Sequence, residues 1–262
     1  MEKKTSRKFL LLLGVASLLW TACTPRQTAQ PPVEFQVVDA KTLQATGSLA
    51  YGAAARLGAL LTPGIREIRL QGDLHSAPDE YLQVAALITS QHLNVHVTDL
   101  CVGGCANTLF LTANSRSFGP NGVVAFHGGL GSFTEAEYAA NLAKFGHTTL
   151  EQRRYLEHWR GLVAQEAELL RRAGVDISLL RDARVLGELY REQNGLESQP
   201  TVTPLWVPSE REQTCYGVRN IKQYNAGLTE ARMATLRQEQ ELALFRTADL
   251  RDFKDKVSAC VQ

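Results

Sequence analysis

Apolar and polar positions in the middle of the chain follow a pattern that predicts two strands joined through a short buried helix. Residues 95–97 alternate valine with histidine, which is typical of a half-buried strand. A glycine-containing break follows at residues 101–104, and the apolar run from Cys105 to Ala113 predicts a short helix. The β-branched and aromatic run from Val123 to Phe126 predicts a strand that ends at His127. Because α/β folds place their ligands at strand ends, we expect a site between the break and His127.

The chain before this stretch shows the same alternation of strands and helices. The runs 35–38 and 65–70 have the pattern of strands, and residues 49–61 carry apolar side chains at helical spacing. Ser76 is suited to cap the next helix. The apolar stripe of that helix is formed by Tyr81, Val84, Leu87 and Ile88. The order strand–helix–strand–helix–strand predicts right-handed crossovers and a largely parallel sheet.

After the second strand the pattern becomes mainly helical. The glycine-rich residues 128–131 predict a flexible hinge. The strongest helical periodicity of the chain runs from Leu150 to Ala173. Residues 205–208 predict a late, short strand, and the charged segment 228–256 predicts a solvated helix or a helix that packs on a partner.

The composition is that of a globular protein with one sizeable core. The chain has 262 residues, of which 44% are hydrophobic, and a formal net charge of +1. The charge is unevenly placed, because residues 1–22 hold four basic residues and one acidic residue, and the remainder carries 24 basic and 26 acidic residues. This balance excludes the strongly basic surface that nucleic-acid binding requires.

The first 22 residues have the features of a signal peptide. A basic start is followed by the apolar run Phe9–Trp20, whose 12 residues are too few to span a membrane. Residues 19–23, Leu-Trp-Thr-Ala-Cys, resemble a bacterial lipobox, which predicts lipidation at Cys23 and a disordered tether over 23–34. We therefore expect a periplasm-facing lipoprotein of the bacterial cell envelope, held on a membrane by its anchor. A plain secretory signal cleaved near Ala22 is the alternative.

Export would place the remaining four cysteines in an oxidising compartment. Three complete pairings are open to them. We favour Cys101–Cys105, which would brace the turn at the head of the short helix, together with Cys215–Cys260, which would tie the C-terminal tail to the body. The alternative is that Cys101 and Cys105 are small buried hydrophobic residues without a bond.

From Gln44 to Gly129, and loosely over the remainder, the chain resembles the Clp-protease-like branch of the crotonase fold, in particular bacterial envelope proteins with a Cys-x-Ser-x-Cys turn. In that family the turn holds a serine nucleophile, and a later strand ends in Gly/Ala-Phe-His with the catalytic histidine. Cys101, Cys105 and Ala125-Phe126-His127 match this pattern. The resemblance implies an α/β crotonase/Clp-protease-like ββα superhelix with a largely parallel sheet plus C-terminal helices. The implied domain spans 35–227, with a helical extension over 228–262.

The chain departs from the family at the nucleophile, because Gly103 stands where the resemblance implies a serine. Loss of such a serine typically costs a factor of about 10⁶ in turnover. His127 and Asp176 are then relics of a catalytic triad, with Asp182 as the rival carboxylate. A second departure is Gly72-Asp73, where the family has Gly-Gly to hold an oxyanion, and a carboxylate there would oppose one.

A degenerate serine-hydrolase site predicts a non-catalytic binding or scaffolding protein. The backbone N–H groups of Gly72, Gly103 and Gly104 are the candidates for holding a peptide or another anionic ligand. The alternative function is a residual serine-peptidase-like hydrolase that uses a substituted nucleophile or a water activated by His127. Related proteins assemble into rings, so the resemblance also implies a homo-oligomer.

The sequence gives no sign of a cofactor, since no phosphate-binding or dinucleotide-binding motif occurs. Asp73, His75 and His127 could in principle hold a metal ion. A surface-loop role for His75 is the simpler interpretation, so we expect no metal site.

Overall fold

The computed structural model describes residues 33–71, 78–225 and 227–261. Within the chain, Pro31–Gln262 forms one compact unit. The predicted signal peptide, Cys23 and the tether up to residue 32 lie outside the described residues, as do Gly72, Asp73, His75 and Ser76.

The described residues contain the following regular elements. The strands are β1 (Glu34–Asp39), β2 (Thr42–Thr46), β3 (Glu67–Gln71), β4 (Asn94–Val97), β5 (Leu100–Cys101), β6 (Arg116–Phe118), β7 (Val123–Val124), β8 (Thr203–Trp206), β9 (Ile221–Lys222) and β10 (Leu242–Phe245). The α-helices are α1 (Ala53–Leu60), α2 (Pro78–Ser90), α3 (Glu135–Lys144), α4 (Thr149–Ala173), α5 (Ser178–Gln193), α6 (Glu210–Cys215) and α7 (Glu230–Gln240). Cys105–Phe110 is a π-helix, and short 3₁₀ turns occur at Leu130–Ser132, Leu196–Ser198, Thr247–Asp249 and Lys254–Lys256.

The largest sheet has the strand order β1-β2-β3-β4-β6-β9. Only the β1–β2 pair is antiparallel, and every other neighbouring pair in this sheet is parallel. Helices α1 and α2 connect β2 to β3 and β3 to β4, because parallel neighbours need a crossover connection. The predicted fold class, an α/β chain with a largely parallel sheet followed by helices, is confirmed.

The chain between residues 94 and 124 winds through two sheets in turn. β4 and β6 are parallel neighbours in the large sheet, while β5 and β7 pair in parallel as a separate two-stranded sheet. The π-helix lies between these two passes. Each pass therefore gives one strand to each sheet, as the ββα winding implied by the resemblance requires, although the residue pattern predicted only β4 and β7 and missed β5 and β6.

The pattern of buried positions explains why these segments form strands. Val95 and Val97 are fully buried, and the polar residues between and before them are half-buried, as their alternation predicts. The strand β2 has no comparable signal in its sequence, Thr-Leu-Gln-Ala-Thr, and the sequence analysis missed it. Its burial is decided by β1 and β3 on its two sides.

The helices after His127 agree with the predicted pattern at α4, whose end is set by Gly174 with a positive φ of 71°. The predicted helix over 228–256 is right only for α7. Residues 242–245 are buried and form β10, parallel to β8. Four consecutive apolar residues suit a strand that is covered on both faces, so this segment belongs to the body of the protein.

Both predicted disulfides are confirmed. Cys101 bonds Cys105, and Cys215 bonds Cys260 across a sequence separation of 45 residues. The helix after the first bond is shorter than predicted, since it is a six-residue π-helix followed by a turn. Among the described residues, none of the helices combines the length and the apolar character that crossing a membrane requires.

Candidate functional site

The corner at Gly103 lies between the end of β5 and the start of the π-helix. The Cys101–Cys105 disulfide closes this corner, with the two Cα atoms 5.3 Å apart. Gly103 has a φ of +56°, in the left-handed region that favours glycine. The backbone N–H of Asn107 donates to the carbonyl oxygen of Gly103 at 2.8 Å, which ties the corner to the helix.

Gly103 faces the imidazole of His127. A Cβ atom built on Gly103 would lie 3.6 Å from Nε2 of His127, and no other described atom outside residues 102–104 would lie within 4 Å of it. A serine hydroxyl on that Cβ would come within hydrogen-bonding reach of Nε2, as a nucleophile and its base require. The structure thus brings together the two positions that the sequence analysis singled out.

The segment between β7 and His127 is held by Trp206, the last residue of β8. Phe126 and Trp206 form an isolated antiparallel bridge, and Phe126 is fully buried while His127 is exposed. The predicted strand at residues 205–208 is therefore present, beginning slightly earlier at Thr203, and it lies beside the site.

A cavity of about 210 Å³ opens beside this corner. Its walls are formed by Pro78, Tyr81, Leu82, Gly103, Gly104, Asn107, Thr108, His127, Gly128, Gly129, Leu130, Phe133 and Glu166. Tyr81 lies so close to Gly104 that a Cβ there would come within 2.2 Å of its ring. Glycine at position 104 is thus needed for packing.

The carboxylate that lines the cavity is Glu166, on α4, which the sequence analysis missed. Only 2% of Glu166 is exposed, and its carboxylate accepts hydrogen bonds from the backbone N–H groups of Leu130 at 3.2 Å and Gly131 at 3.0 Å. Burial raises the pKa of Glu166, while these two hydrogen bonds act in the opposite direction. The 128–131 segment, expected to be a flexible hinge, is therefore fixed to α4.

The sequence did contain a signal for Glu166. It follows Leu162 by four residues and precedes Leu169 and Leu170 by three and four, so it lies within the apolar stripe of α4. A carboxylate inside such a stripe is either paired or functional.

Asn107 forms another part of the cavity wall and also went unnoticed in the sequence. It is 4% exposed, and its Nδ2 donates to the carbonyl oxygen of Gly128. Its Oδ1 accepts no hydrogen bond from the described residues. A buried amide oxygen without a hydrogen bond costs folding free energy, so a ligand that donates a hydrogen bond to Oδ1 would remove this cost.

The structure does not bring the proposed triad carboxylate to the cavity. Asp176 is exposed, and its Oδ1 accepts a hydrogen bond of 2.9 Å from the backbone N–H of Ser178, the first residue of α5. The rival, Asp182, is fully buried but accepts hydrogen bonds from the Tyr216 hydroxyl at 2.6 Å and the Ser258 N–H at 3.0 Å. Asp176 thus stabilises a local turn before α5, and Asp182 belongs to a polar network with Tyr216 and Ser258, so neither takes the expected place beside His127.

The predicted anion-binding amides have mixed outcomes. Gly103 and Gly104 line the cavity, whereas Gly72 and Asp73 lie outside the described residues. The helix behind Gly104 has only six residues, so its dipole is small, and the carboxylate of Glu166 lies in the same wall. Within residues 33–71, 78–225 and 227–261, no three His, Cys, Asp or Glu side chains are grouped as metal ligands would be.

Comparisons with known proteins find only distant structural similarity. No family model matches the chain, and no curated protein sequence matches it. Among solved structures, the chain is similar to an enoyl-CoA hydratase from Mycobacterium avium subsp. paratuberculosis K-10, at 12% identity, covering 64% of this chain and 89% of the other, with a TM-score of 0.30. It is also similar to ThnE from S. clavuligerus, at 13% identity, covering 63% and 99%, with a TM-score of 0.28. Similarities of this size carry no conclusion about activity or ligand.

Proposed function

We propose that this chain is a binding protein of the bacterial cell envelope whose site keeps the scaffold of a Clp-protease-like serine hydrolase without its nucleophile. The observation that carries the proposal is the position of Gly103, whose Cβ direction faces Nε2 of His127 at 3.6 Å. A crotonase-type scaffold is part of the proposal. It is supported by the ββα winding of residues 94–124 and by the disulfide that closes the corner.

The chemistry of the site favours binding over catalysis. Glycine offers no hydroxyl for His127 to deprotonate, and the loss of such a nucleophile typically costs about 10⁶ in turnover. Cys105, two residues beyond Gly103, is fully buried and its sulfur is bonded to that of Cys101, so it has no free thiol to act as a nucleophile. Ser115 is separated from the corner by the whole π-helix.

The setting of the protein belongs to the same proposal. Lipidation at Cys23 would hold the domain on a membrane, facing the periplasm, where it could bind a peptide or protein and act as a scaffold. A homo-oligomer would be consistent with this role. The features that support it are the leader, the lipobox-like sequence and two disulfides of the kind found in exported proteins.

A rescue experiment tests the proposal. Wild type, Gly103→Ser and Gly103→Ser/His127→Ala are treated with a fluorophosphonate probe that labels activated serines. We expect labelling of Gly103→Ser alone, since only that variant has both a hydroxyl and its base. The left-handed φ at position 103 costs a serine about 1–2 kcal/mol, a strain that a folded protein tolerates.

An ester-hydrolysis assay on wild type and on His127→Ala tests the alternative function, a residual hydrolase. His127 faces a space beside Gly103 in which a water could be activated. If wild type hydrolyses a p-nitrophenyl ester and His127→Ala abolishes this turnover, the protein is a hydrolase and the binding proposal is wrong. If Gly103→Ser is not labelled, the scaffold is not that of a serine hydrolase.

A further inference from the structure

The cavity wall contains two buried side chains that present acceptor oxygens, Asn107 through Oδ1 and Glu166 through its carboxylate, and this bears on the class of ligand. Building on the proposed binding function, we infer that the cavity takes a compact ligand with an apolar body and an N–H donor head, an amide or an ammonium group, in preference to a carboxylate. Asn107 and Glu166 would receive the head, and the apolar side chains of the wall would cover the body.

Asn107 presents an oxygen because its nitrogen is already assigned. The atom opposite its amide nitrogen is the carbonyl oxygen of Gly128, which can only accept a hydrogen bond. The amide therefore has one orientation, with Nδ2 towards Gly128 and Oδ1 left without a described donor. A ligand N–H would complete this oxygen, whereas a ligand carboxylate would repel it.

Glu166 adds two more acceptor oxygens to the same wall. The backbone N–H groups of Leu130 and Gly131 each donate to one carboxylate oxygen, and each oxygen has a second lone pair. The carboxylate comes close to the chain at Gly129, where a Cβ would lie 2.7 Å from Oε1. Glycine at this position is what allows a carboxylate to form part of the wall.

The rest of the wall limits the size and polarity of the ligand. Pro78, Tyr81, Leu82, Leu130 and Phe133 contribute apolar surface. An apolar cavity of about 150 Å³ holds benzene, so the 210 Å³ available here suits a single ring with a small polar head. We therefore expect a side-chain-sized ligand or the end of a longer molecule.

Three probes of equal size test the inference, namely benzamide, benzylammonium and benzoate. Each is titrated calorimetrically into the full chain at neutral pH. We expect benzamide and benzylammonium to bind, and benzoate to bind at least about tenfold more weakly, because it meets two acceptors. This comparison uses wild type alone, so it does not depend on the folding of any variant.

Variants then assign the recognition to the two residues. We expect Asn107→Leu to lower the affinity for benzamide about tenfold, which is the effect of one lost hydrogen bond to a buried group. Gln213→Leu is the matched control, since Gln213 is a fully buried amide whose Oε1 also lacks a described donor, but it does not line this cavity. Glu166→Gln replaces the carboxylate with a neutral amide, and we expect it to reduce the difference between the affinities for benzylammonium and benzoate.

Three results would overturn the inference. These are benzoate binding as tightly as benzamide, no binding by either donor probe, and equal losses in Asn107→Leu and Gln213→Leu. All are read from affinity, whereas the proposed function is read from covalent labelling of Gly103→Ser. Successful labelling without donor selectivity would leave the proposed function standing and remove this ligand class alone.

Discussion

Phe126 and Trp206 exchange two backbone hydrogen bonds of 2.8 Å, one residue before His127. Trp206 is fully buried, and its indole N–H donates to the hydroxyl of Thr247 at 2.9 Å. The ring of Trp206 also packs edge-on against that of Tyr216, with the centroids 6.3 Å apart. The last strand before the site is therefore positioned by a residue 80 places further along the chain.

Trp206→Ala should lower the free energy of unfolding by about 3–5 kcal/mol, because it leaves a large cavity behind the strand end. Chemical denaturation at equilibrium measures this loss. Trp206→Phe is the control, since it keeps an aromatic ring and loses the bond to Thr247, at a cost of about 1 kcal/mol for that bond. A loss below 1 kcal/mol in Trp206→Ala would contradict the role assigned to β8.

Gly104→Ala should destabilise the protein more than Gly103→Ala. At position 104 the backbone is helical, with a φ of −58°, but the new Cβ would overlap the ring of Tyr81, and overpacking of this kind costs about 1–3 kcal/mol. At position 103 the new Cβ meets no close contact and the cost is conformational, about 1–2 kcal/mol. Thermal melts of both variants measure the order.

The matched control for these two is Gly161→Ala on α4. Gly161 is exposed, and its added Cβ would meet no atom within 4 Å. The substitution should raise stability by about 0.5–1 kcal/mol, because alanine loses less entropy than glycine in a helix. Equal losses of stability in Gly103→Ala and Gly104→Ala would show that the Tyr81 ring moves aside to make room for the new methyl group.

Removing the Cys215–Cys260 disulfide should cost more stability than removing Cys101–Cys105. The two bonds close loops with sequence separations of 45 and 4 residues, for which chain entropy gives about 4 and about 2 kcal/mol. Paired Cys→Ala variants compared by denaturation without reductant measure the difference. If removing Cys101–Cys105 costs more stability instead, this bond stabilises the corner at Gly103 through folded-state contacts and not mainly through chain entropy.

Stability should fall below about pH 4.5 in a way that depends on Glu137. The Arg184 guanidinium, followed by the backbone and hydroxyl of Thr134, lowers the pKa of Glu137 to about 2. Since the folded state lowers this pKa, the stabilisation is present above the unfolded value near 4.5 and is lost as the pH falls towards 2. Glu137→Gln should flatten this part of the pH–stability curve.

The control for the acid limb is Glu192→Gln, an exposed position on α5. Denaturation midpoints measured across the acid range should show the wild-type slope in this control. An unchanged slope in Glu137→Gln would mean that the ion pair with Arg184 is screened by solvent, because 43% of the Glu137 side chain is exposed.

Local features of the sequence were sufficient for several elements. The alternation at β4 and the long amphipathic period of α4 each depend on a single segment, and the structure shows both. The missed strand β2 and the misassigned β10 are short segments without a distinctive period. Their pairing partners, β1, β3 and β8, decide their conformation.

The sequence by itself determined the α/β order of elements. It favoured the two disulfide pairs among three possible pairings, and the family resemblance singled out Gly103 and His127, which the structure places face to face. Only the tertiary structure decided which carboxylate reaches the cavity. Asp176 accepts a hydrogen bond from Ser178, the first residue of the helix that follows it. Glu166, on α4, accepts hydrogen bonds from the backbone N–H groups of Leu130 and Gly131, 35 or more residues earlier in the chain. The physical reason is that a helix period or a turn depends on neighbours in the chain, while the desolvation and hydrogen bonding of a buried carboxylate depend on whatever the fold packs against it.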